Sequence, residues 1–508
     1  MSGERVSLMT GGEQRDLLAA LLGAVLSCWV IDWVLTPTAV FPMHHDDYAV
    51  LGASLRNILA LVERPVSTYL AYAMGHFGIG FSYSLLNLLT AIVPGLVLAF
   101  VLQLFHVRGS LLAGAAFGLV VFGHSSAIEH GRYLGLITNL TSHAFGVGAM
   151  LLLLSGWRSK AWLSLAAGIL SYALSAFAKE DFLLPPLLLI AHLMLEDRMR
   201  QPADLATKPH RCPLQSVLMA TFVGIAIVSV GYNFFVRSPF LAGLANPAAA
   251  ADPYALTLTP MALWSNFLRL TWEYAYWQCL VWIGGMLLLV IFWPARFRTW
   301  VFLLATTIAV VLPYVPLGNN APEYRAFAWL PWLCAPAFVA ASLGWSERSW
   351  VPGFAIGGKL LAPTCLAVAL AVSSMDAPRR STVAGWYAAI QARNARMVHF
   401  ITTYKPAIDH DRVVGVAGVE GLSPWSKTSG RFLQRKLGLV NDWVVFVDKP
   451  NIFFPLGPGH AGSKITVVLS AAACEAPDML VVRFDAEGNG ALVRGRQVCD
   501  EAKVNRGS

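Results

Sequence analysis

Charged residues are scarce in this chain. Asp, Glu, Lys and Arg make up 13% of its 508 residues, whereas 56% are hydrophobic. A composition so poor in charge excludes a water-soluble protein for most of the chain. The formal net charge is +8, but the basic residues cluster in short loops between apolar runs, which is typical of membrane orientation and not of nucleic-acid binding. We therefore expect a polytopic membrane protein.

Several common chemical motifs are also missing. The chain has no Walker G-x-x-x-x-G-K-[S/T] loop and no G-x-S-x-G, so nucleotide-driven transport and serine-hydrolase chemistry have no support. None of the seven cysteines forms a C-x-x-C pair, and we interpret five of them as packing residues. Cys474 and Cys499 lie in a polar C-terminal segment and could form a disulfide if that segment is extracytoplasmic.

Long apolar runs fill the first three quarters of the chain. The N-terminus is polar, carries Arg5 and Arg15 and has no small-residue cleavage site after its apolar run, so we interpret it as a retained signal anchor. A helix needs about 20 apolar residues to cross the hydrocarbon core, which predicts about eleven spans. They lie near 16–36, 82–106, 110–124, 134–155, 161–178, 182–195, 214–236, 274–293, 299–315, 326–345 and 352–373.

The loops between these spans differ in charge. With the N-terminus inside, the basic loops such as "EDRMRQPADLATKPHRC" and "PARFR" fall on the cytoplasmic side, as the positive-inside rule requires. The clusters "HHDDY", "ERPVS", "HSSAIEHGRY", "AKED" and "NNAPEYR" then all fall on the opposite side. We therefore expect a functional site that faces outward.

Two amphipathic stretches, 47–78 and 259–278, are too polar to cross the bilayer but have apolar residues at helical spacing. We expect helices that lie in the membrane interface, with Trp264, Trp272 and Trp277 as anchors in the second. Interfacial helices beside a polar cleft fit a lipid-linked substrate.

The character of the sequence changes near residue 376. Three short β-rich runs follow, and a Glu-Gly-Asn-Gly turn at 487–490 is typical of a hairpin. We therefore expect two domains: a mostly α membrane domain at 1–375 and a small soluble α/β domain at 376–508, outside the membrane.

The stretch "AVFPMHHDDYAVL" follows the first span and holds the densest group of titratable residues. Neighbouring carboxylates in a low-dielectric mouth suit proton abstraction from a hydroxyl, so Asp46 and Asp47 are the candidate catalytic residues. The alternative is a cap on the following helix, although a cap needs only one Asp. His44 or His45 with one Asp could bind Mn²⁺ or Zn²⁺, or be solvated.

Cations at the ends of later spans complete the pattern. Lys179, next to Glu180, interrupts an apolar stretch and could bind a phosphate, oriented by a neighbouring carboxylate; the alternative is a solvated loop. Arg132 and Arg325 lie at the same depth, where an arginine either holds a phosphate by its planar fork or extends to the membrane edge. Carboxylates suit an acceptor hydroxyl and cations suit a departing phosphate.

The order of these motifs resembles the class C (GT-C) membrane glycosyltransferases, and most of all the branch of the protein O-mannosyltransferases with tetratricopeptide tails. The matching segments are "DDY", "ERPVS" with Arg64, "SYSLLNLL", "HSSAIEHGRYLGL" with Glu129, "AKED" and "PEYRAFAWLP" with Glu323, within residues 40–335. Ser125 stands where the family has a proline, the Glu-Arg-Tyr order becomes Glu-Tyr-Arg, and no tetratricopeptide tail is present, so a protein acceptor is not implied.

The resemblance implies the GT-C fold, an inverting reaction and a polyprenyl-phosphate sugar as donor. It also implies an acidic catalytic role for Asp46 or Asp47, lipid-phosphate binding by Lys179 and Arg325, and a second acidic residue, Glu129, in the cleft. The expected partners are the donor lipid, an envelope glycan or lipid acceptor and the bilayer. The alternatives are an O-antigen ligase or polymerase, and a flippase or transporter without chemistry.

Overall fold

The computed structural model describes most of the chain. The described residues are 11–35, 65–107, 110–132, 134–200, 213–236, 259–292, 296–316, 323–346, 355–419, 423–425, 430–450, 454, 456–458 and 464–507.

Helices make up nearly all of the described chain up to residue 403. In order, the helices of the whole chain are α1 (Gly11–Leu35), α2 (Pro65–Phe77), α3 (Ile79–Phe105), α4 (Leu111–Phe122), α5 (Ser125–Arg132), α6 (Ile137–Ser159), α7 (Trp162–Ala178), α8 (Leu184–Arg200), α9 (Pro213–Val236), α10 (Pro260–Leu268), α11 (Tyr276–Phe292), α12 (Phe297–Val311), α13 (Leu330–Ser346), α14 (Ala355–Thr403), α15 (Lys405–Ile408), α16 (Gly430–Leu437) and α17 (Gly495–Gly507). Single helical turns at Leu134–Leu136, Glu180–Phe182, Arg269–Glu273, Leu312–Tyr314, Glu323–Ala328 and Ser470–Glu475 connect or extend them.

The apolar helices are those of a membrane protein. Four in the described part of the chain are long and apolar enough to cross a bilayer: Ile79–Phe105, Ile137–Ser159, Gln215–Tyr232 and Phe297–Tyr314. The bent pair of α10 and α11 would add a fifth if it is one span. A helix coincides with each of the eleven predicted spans, but several are short, and the number eleven is not confirmed.

Helices α1 and α4 pack closely because small residues line their contact. A Cβ added at Gly114 would overlap the carbonyl oxygen of Ala20, and one added at Gly118 would overlap the hydroxyl of Ser27. In lipid, helix association depends on such close van der Waals contact, because the lipid tails are as apolar as the helices themselves. The glycines therefore set the distance between the two helices.

The second amphipathic stretch forms a helix that turns sharply before the next one. Residues Pro260–Glu273 and Tyr276–Ile291 meet at 89°, and Thr259 caps the start of α10 by accepting a hydrogen bond from the Ala262 amide. Trp264 and Trp272 are exposed. This is the geometry expected if α10 lies in the membrane interface and α11 crosses the bilayer. The first amphipathic stretch is described only from Pro65 onward, where it forms α2.

Helix α14 is much longer than the last predicted span, 352–373. It runs for 49 residues, roughly 70 Å, so the predicted domain boundary at 375/376 falls inside it. Hydropathy drops after Met375, but Ala, Arg and Gln continue to favour helix. The buried Arg380 of α14 donates a hydrogen bond to the carbonyl of Phe122, and the Arg396 Nε donates to the Glu487 carbonyl at 2.7 Å. One helix thus joins the bundle to the C-terminal domain.

The C-terminal domain is built on a mixed six-stranded sheet. Its strands are β1 (Val413–Ala417), β2 (Asp442–Val447), β3 (Gly457–Pro458), β4 (Ile465–Leu469), β5 (Leu480–Phe484) and β6 (Gly490–Arg494), in the order β3-β4-β2-β1-β5-β6. The four central strands are parallel, and β5–β6 is the predicted hairpin. Strand β1, which lies near the centre of the sheet, was not predicted from the sequence. A disulfide joins Cys474 to Cys499, the pair of cysteines that the sequence singled out.

Candidate functional site

Five short segments meet at one end of the helical bundle. They are the start of α6, the Glu180–Phe182 turn, the Leu312–Tyr314 turn, the Glu323–Ala328 turn and α5, which packs between the last of these and α14. Three of the charged clusters that were predicted to share one side of the membrane lie in these segments. The opposite end of α6 carries Arg158, which donates to the carbonyls of Gln103 and Leu104 at the end of α3.

The buried carboxylate of Asp181 is the hydrogen-bonding centre of this end. Its Oδ2 atom lies 2.7 Å from Lys179 Nζ, and it accepts hydrogen bonds from the Asn139 amide at 2.9 Å and the Tyr314 hydroxyl at 2.8 Å. Two neutral donors and one cation from three elements therefore converge on one oxygen. The charge of Lys179 is compensated, as predicted for a lysine oriented by a neighbouring carboxylate, and the carboxylate is Asp181.

The backbone around Lys179 is also held in place. The lysine is extended, between the end of α7 and the Glu180–Phe182 turn, and its carbonyl accepts a hydrogen bond from the Ser142 hydroxyl at 2.8 Å. One residue earlier, the carbonyl of Ala178 accepts from Ser67 of α2 at 2.7 Å. Lys179 is thus fixed at both its backbone and its ammonium group.

The ring of Tyr314 brings the two predicted phosphate ligands together. Lys179 Nζ lies 5.9 Å and Arg325 Cζ 5.4 Å from the ring centroid, within the range of a cation–π contact. Trp329 packs against the same tyrosine, with its ring centroid 5.6 Å away. The two cations are 146 positions apart in the sequence. Tyr314 contacts both of them, although nothing in the sequence singled it out.

Arg325 differs from Lys179 in its charge environment. It is 6% exposed, yet no described carboxylate lies within salt-bridge distance of its guanidinium. The guanidinium instead makes a cation–π contact with the ring of Tyr314. A buried charge is costly unless it is paired. Arg325 is therefore a buried cation without a described carboxylate partner, and its environment suits an anion.

Helix α5 forms one wall of this end. His124, just before it, accepts from the Ser126 amide and shares a hydrogen bond of 2.6 Å with the Tyr274 carbonyl. The ring of His130 packs against Phe327, next to Arg325, at 4.6 Å between centroids. Burial lowers the pKa of His130 to about 3, so this side chain is neutral at physiological pH. It therefore adds no charge to the cluster formed by Lys179, Asp181, Tyr314 and Arg325.

A further cation was missed by sequence analysis. Arg269 lies in the turn after α10, and its guanidinium donates to Asn266 Oδ1 at 3.4 Å. Asn266 in turn donates to the Val315 carbonyl at 3.0 Å, directly after Tyr314. Helix α10 is therefore linked to the turn that carries the tyrosine. The signal was the one basic residue of a Trp-rich amphipathic stretch, 259–278, which was assigned to the interface alone.

The other predicted site residues fall into two groups. Glu129 and Arg132 lie on α5, Glu180 is half-buried in the turn beside Lys179, and Glu323 begins the turn that carries Arg325; their backbone positions place all four at this end of the bundle. The remaining five lie outside the described residues, so their placement stays a prediction: His44, His45, Asp46, Asp47 and Arg64.

Neither a metal centre nor a relative is identified. In the described stretches, no three His, Cys, Asp or Glu side chains are grouped so that they could hold a metal ion, and the predicted histidine ligands are outside these stretches. No known protein-family model matches the chain, and no curated protein matches it significantly.

Proposed function

We propose that the protein is a membrane glycosyltransferase of the GT-C fold, with about eleven spans. It moves a sugar from a polyprenyl-phosphate donor to a cell-envelope glycan, lipid or protein acceptor, on the periplasmic face of a bacterial inner membrane. The observation that carries this proposal is the buried Arg325, which has no carboxylate partner among the described residues and lies beside Lys179 on the ring of Tyr314. A planar fork of donors in an apolar bundle suits a phosphate.

The disulfide supports the outward orientation independently of charge. Helix α14 contacts the end of α4 and then α5 at the cluster end of the bundle, and it leads directly to the domain that contains the Cys474–Cys499 bond. Disulfides persist in oxidising compartments and are rare in the cytosol. A cluster at the same end as a disulfide-bonded domain is therefore expected to face the periplasm.

The proposed reaction uses few groups. Asp46 or Asp47 takes the proton of the acceptor hydroxyl as its oxygen attacks the anomeric carbon. The bond from that carbon to the phosphate oxygen breaks, with inversion, and the polyprenyl phosphate leaves with the negative charge. Arg325, with Lys179 beside it, stabilises that charge in the low dielectric of the bundle. Interfacial helix α10 fits a substrate whose lipid tail stays in the bilayer.

The test is sugar transfer by the purified protein. It is incubated with a panel of polyprenyl-phosphate sugars, and release of the free lipid phosphate is measured. Asp46→Asn and Asp47→Asn are compared with Asp478→Asn, an exposed carboxylate of the C-terminal domain. Loss of the base should lower the rate about a hundredfold or more, whereas the Asp478 variant keeps it. Transfer at wild-type rate by both Asp46 and Asp47 variants would contradict the assignment.

The alternatives give different results in the same experiment. A flippase or transporter releases no lipid phosphate from any donor, and an O-antigen ligase or polymerase releases a lipid diphosphate from a diphosphate-linked donor. EDTA added during turnover tests the proposed metal: unchanged activity would remove His44 and His45 as required metal ligands.

A further inference from the structure

We propose that Tyr314 is a positioning residue for the phosphate-binding guanidinium of Arg325. This inference rests on the phosphate role proposed above for Arg325. Tyr314 contacts no reacting atom in this scheme; it acts through the arginine, and the buried hydrogen bonds of Asp181 and Asn139 act through Tyr314.

The tyrosine hydroxyl fixes the orientation of the ring. It donates to Asp181 Oδ2 at 2.8 Å and accepts from Asn139 Nδ2 at 3.4 Å, and Tyr314 itself is 1% exposed. A buried hydroxyl with both a donor and an acceptor cannot rotate away without leaving polar groups unsatisfied. The ring is therefore held in one orientation by α6 and by the turn after α7.

The ring face in turn holds Arg325 without using its hydrogen-bond donors. A guanidinium attracted to an aromatic face is held through its charge and its flat surface. Its N–H groups stay available for a bidentate contact with a phosphate. A carboxylate partner would have occupied the same donors and cancelled the charge. An aromatic partner is thus the arrangement that positions an arginine and keeps it able to bind an anion.

Asp181 separates the roles of the two cations on this ring. It compensates Lys179 at 2.7 Å and also accepts the tyrosine hydroxyl, so one carboxylate orients both the lysine and the ring. The described geometry makes Arg325 the principal anion ligand, with Lys179 as a second cation whose charge is already balanced. In the sequence, Lys179 and Arg325 are equivalent candidates for a phosphate ligand. In the folded protein, Lys179 is paired with a carboxylate, whereas Arg325 has no such partner among the described residues.

The experiment measures binding of undecaprenyl phosphate, without a sugar, to the full-length protein in nanodiscs. Tyr314→Phe keeps the ring and removes its anchor, and we expect about a threefold increase in Kd. Tyr314→Leu removes the ring as well, and we expect about a tenfold increase. Tyr172→Phe is the matched control: Tyr172 is also buried, bonds the Leu183 carbonyl through its hydroxyl and stacks on Phe222 at 4.4 Å. Its affinity should not change.

A double-mutant cycle distinguishes positioning from a general structural role. In an Arg325→Met background, Tyr314→Leu should cause no further loss of lipid-phosphate affinity, because the side chain on which it acts is already gone. An equal loss in both backgrounds, or an unchanged Kd in the Tyr314→Leu single variant, would overturn the inference and leave the proposed reaction standing. Failure of wild type to bind the lipid phosphate would overturn both. Coupled binding without any sugar transfer would overturn only the proposed reaction.

Discussion

The ammonium of Lys179 lies 2.7 Å from Asp181 Oδ2, two residues further along the chain. Both side chains are largely buried, with exposed fractions of 15% and 7%, so this is an ion pair within the bundle and not a solvated surface contact. Arg325, on the same tyrosine ring, has no such partner in the described part of the chain. The two cations should therefore respond in opposite ways to neutralisation.

Neutralising Lys179 should destabilise the protein. Lys179→Met removes the ammonium that lies 2.7 Å from the buried Asp181 carboxylate, which is expected to cost about 3 kcal/mol of unfolding free energy. The double variant Lys179→Met/Asp181→Asn removes both charges and should recover most of that loss. The thermal unfolding midpoint in nanodiscs checks this. Equal midpoints for the single and double variants would show that the pair does not contribute to stability.

Neutralising Arg325 should have the opposite effect on stability. Arg325→Met removes a buried charge that lacks a carboxylate partner, so the unfolding midpoint of the ligand-free protein should stay constant or rise, by an amount equivalent to about 1 kcal/mol. Undecaprenyl phosphate should raise the midpoint of the wild type but not that of the variant. A destabilised Arg325→Met protein that still responds to the lipid phosphate would contradict the anion-binding role.

The Cys474–Cys499 bond should stabilise the C-terminal domain. It closes a loop with a sequence separation of 25 and ties the Ser470–Glu475 turn to α17. Loss of such a cross-link is expected to cost about 3 kcal/mol. A Cys474→Ser/Cys499→Ser variant should show faster proteolysis of residues after 403, measured on the full-length protein. Dithiothreitol should bring the wild type to the same rate and leave the variant unchanged; an effect of reductant on the variant would point to a different bond.

The β5–β6 hairpin should weaken at low pH. The Asp485 carboxylate accepts hydrogen bonds from the side chain of Asn489 and from its backbone N–H. These bonds, the side-chain one first, hold the pKa of Asp485 below its ordinary value of 3.8. A carboxylate with a depressed pKa contributes stability above its ordinary pKa and loses it as the pH falls through the folded value.

Hydrogen exchange of residues 485–490 in the full-length protein checks this. Protection, normalised to an unfolded peptide of the same sequence, should be lower at pH 3 and below than at pH 5. Asp485→Asn should show no such step. A step of the same size in the variant would assign it to another group.

Several elements follow from local pattern alone. Apolar runs place a helix at each predicted span, the amphipathic stretch 259–278 forms helix α10, and the 487–490 turn forms the β5–β6 hairpin. These predictions succeed because helix periodicity and turn residues act over a few neighbouring positions. Strand β1 and the second half of α14 were missed, since the first pairs only with distant strands and the second lacks the continuous apolar run of a span.

Only some residues of the candidate site could be predicted from the sequence. Lys179 and Arg325 were identifiable because a charge in an apolar run is costly and needs a reason. Tyr314 and Asn139 gave no such signal, because a tyrosine or an asparagine at the end of a span is common in membrane helices.

By itself, the sequence determined that the chain is mostly helical and apolar, that charged residues are scarce within its long apolar runs, and that a small β-rich domain follows. Only the tertiary structure decided which charges meet. It paired Lys179 with Asp181 and placed Arg325 on the ring of Tyr314 without a carboxylate. The physical reason is that the energy of a buried charge depends on the groups that distant segments bring to it, and no local pattern specifies those groups.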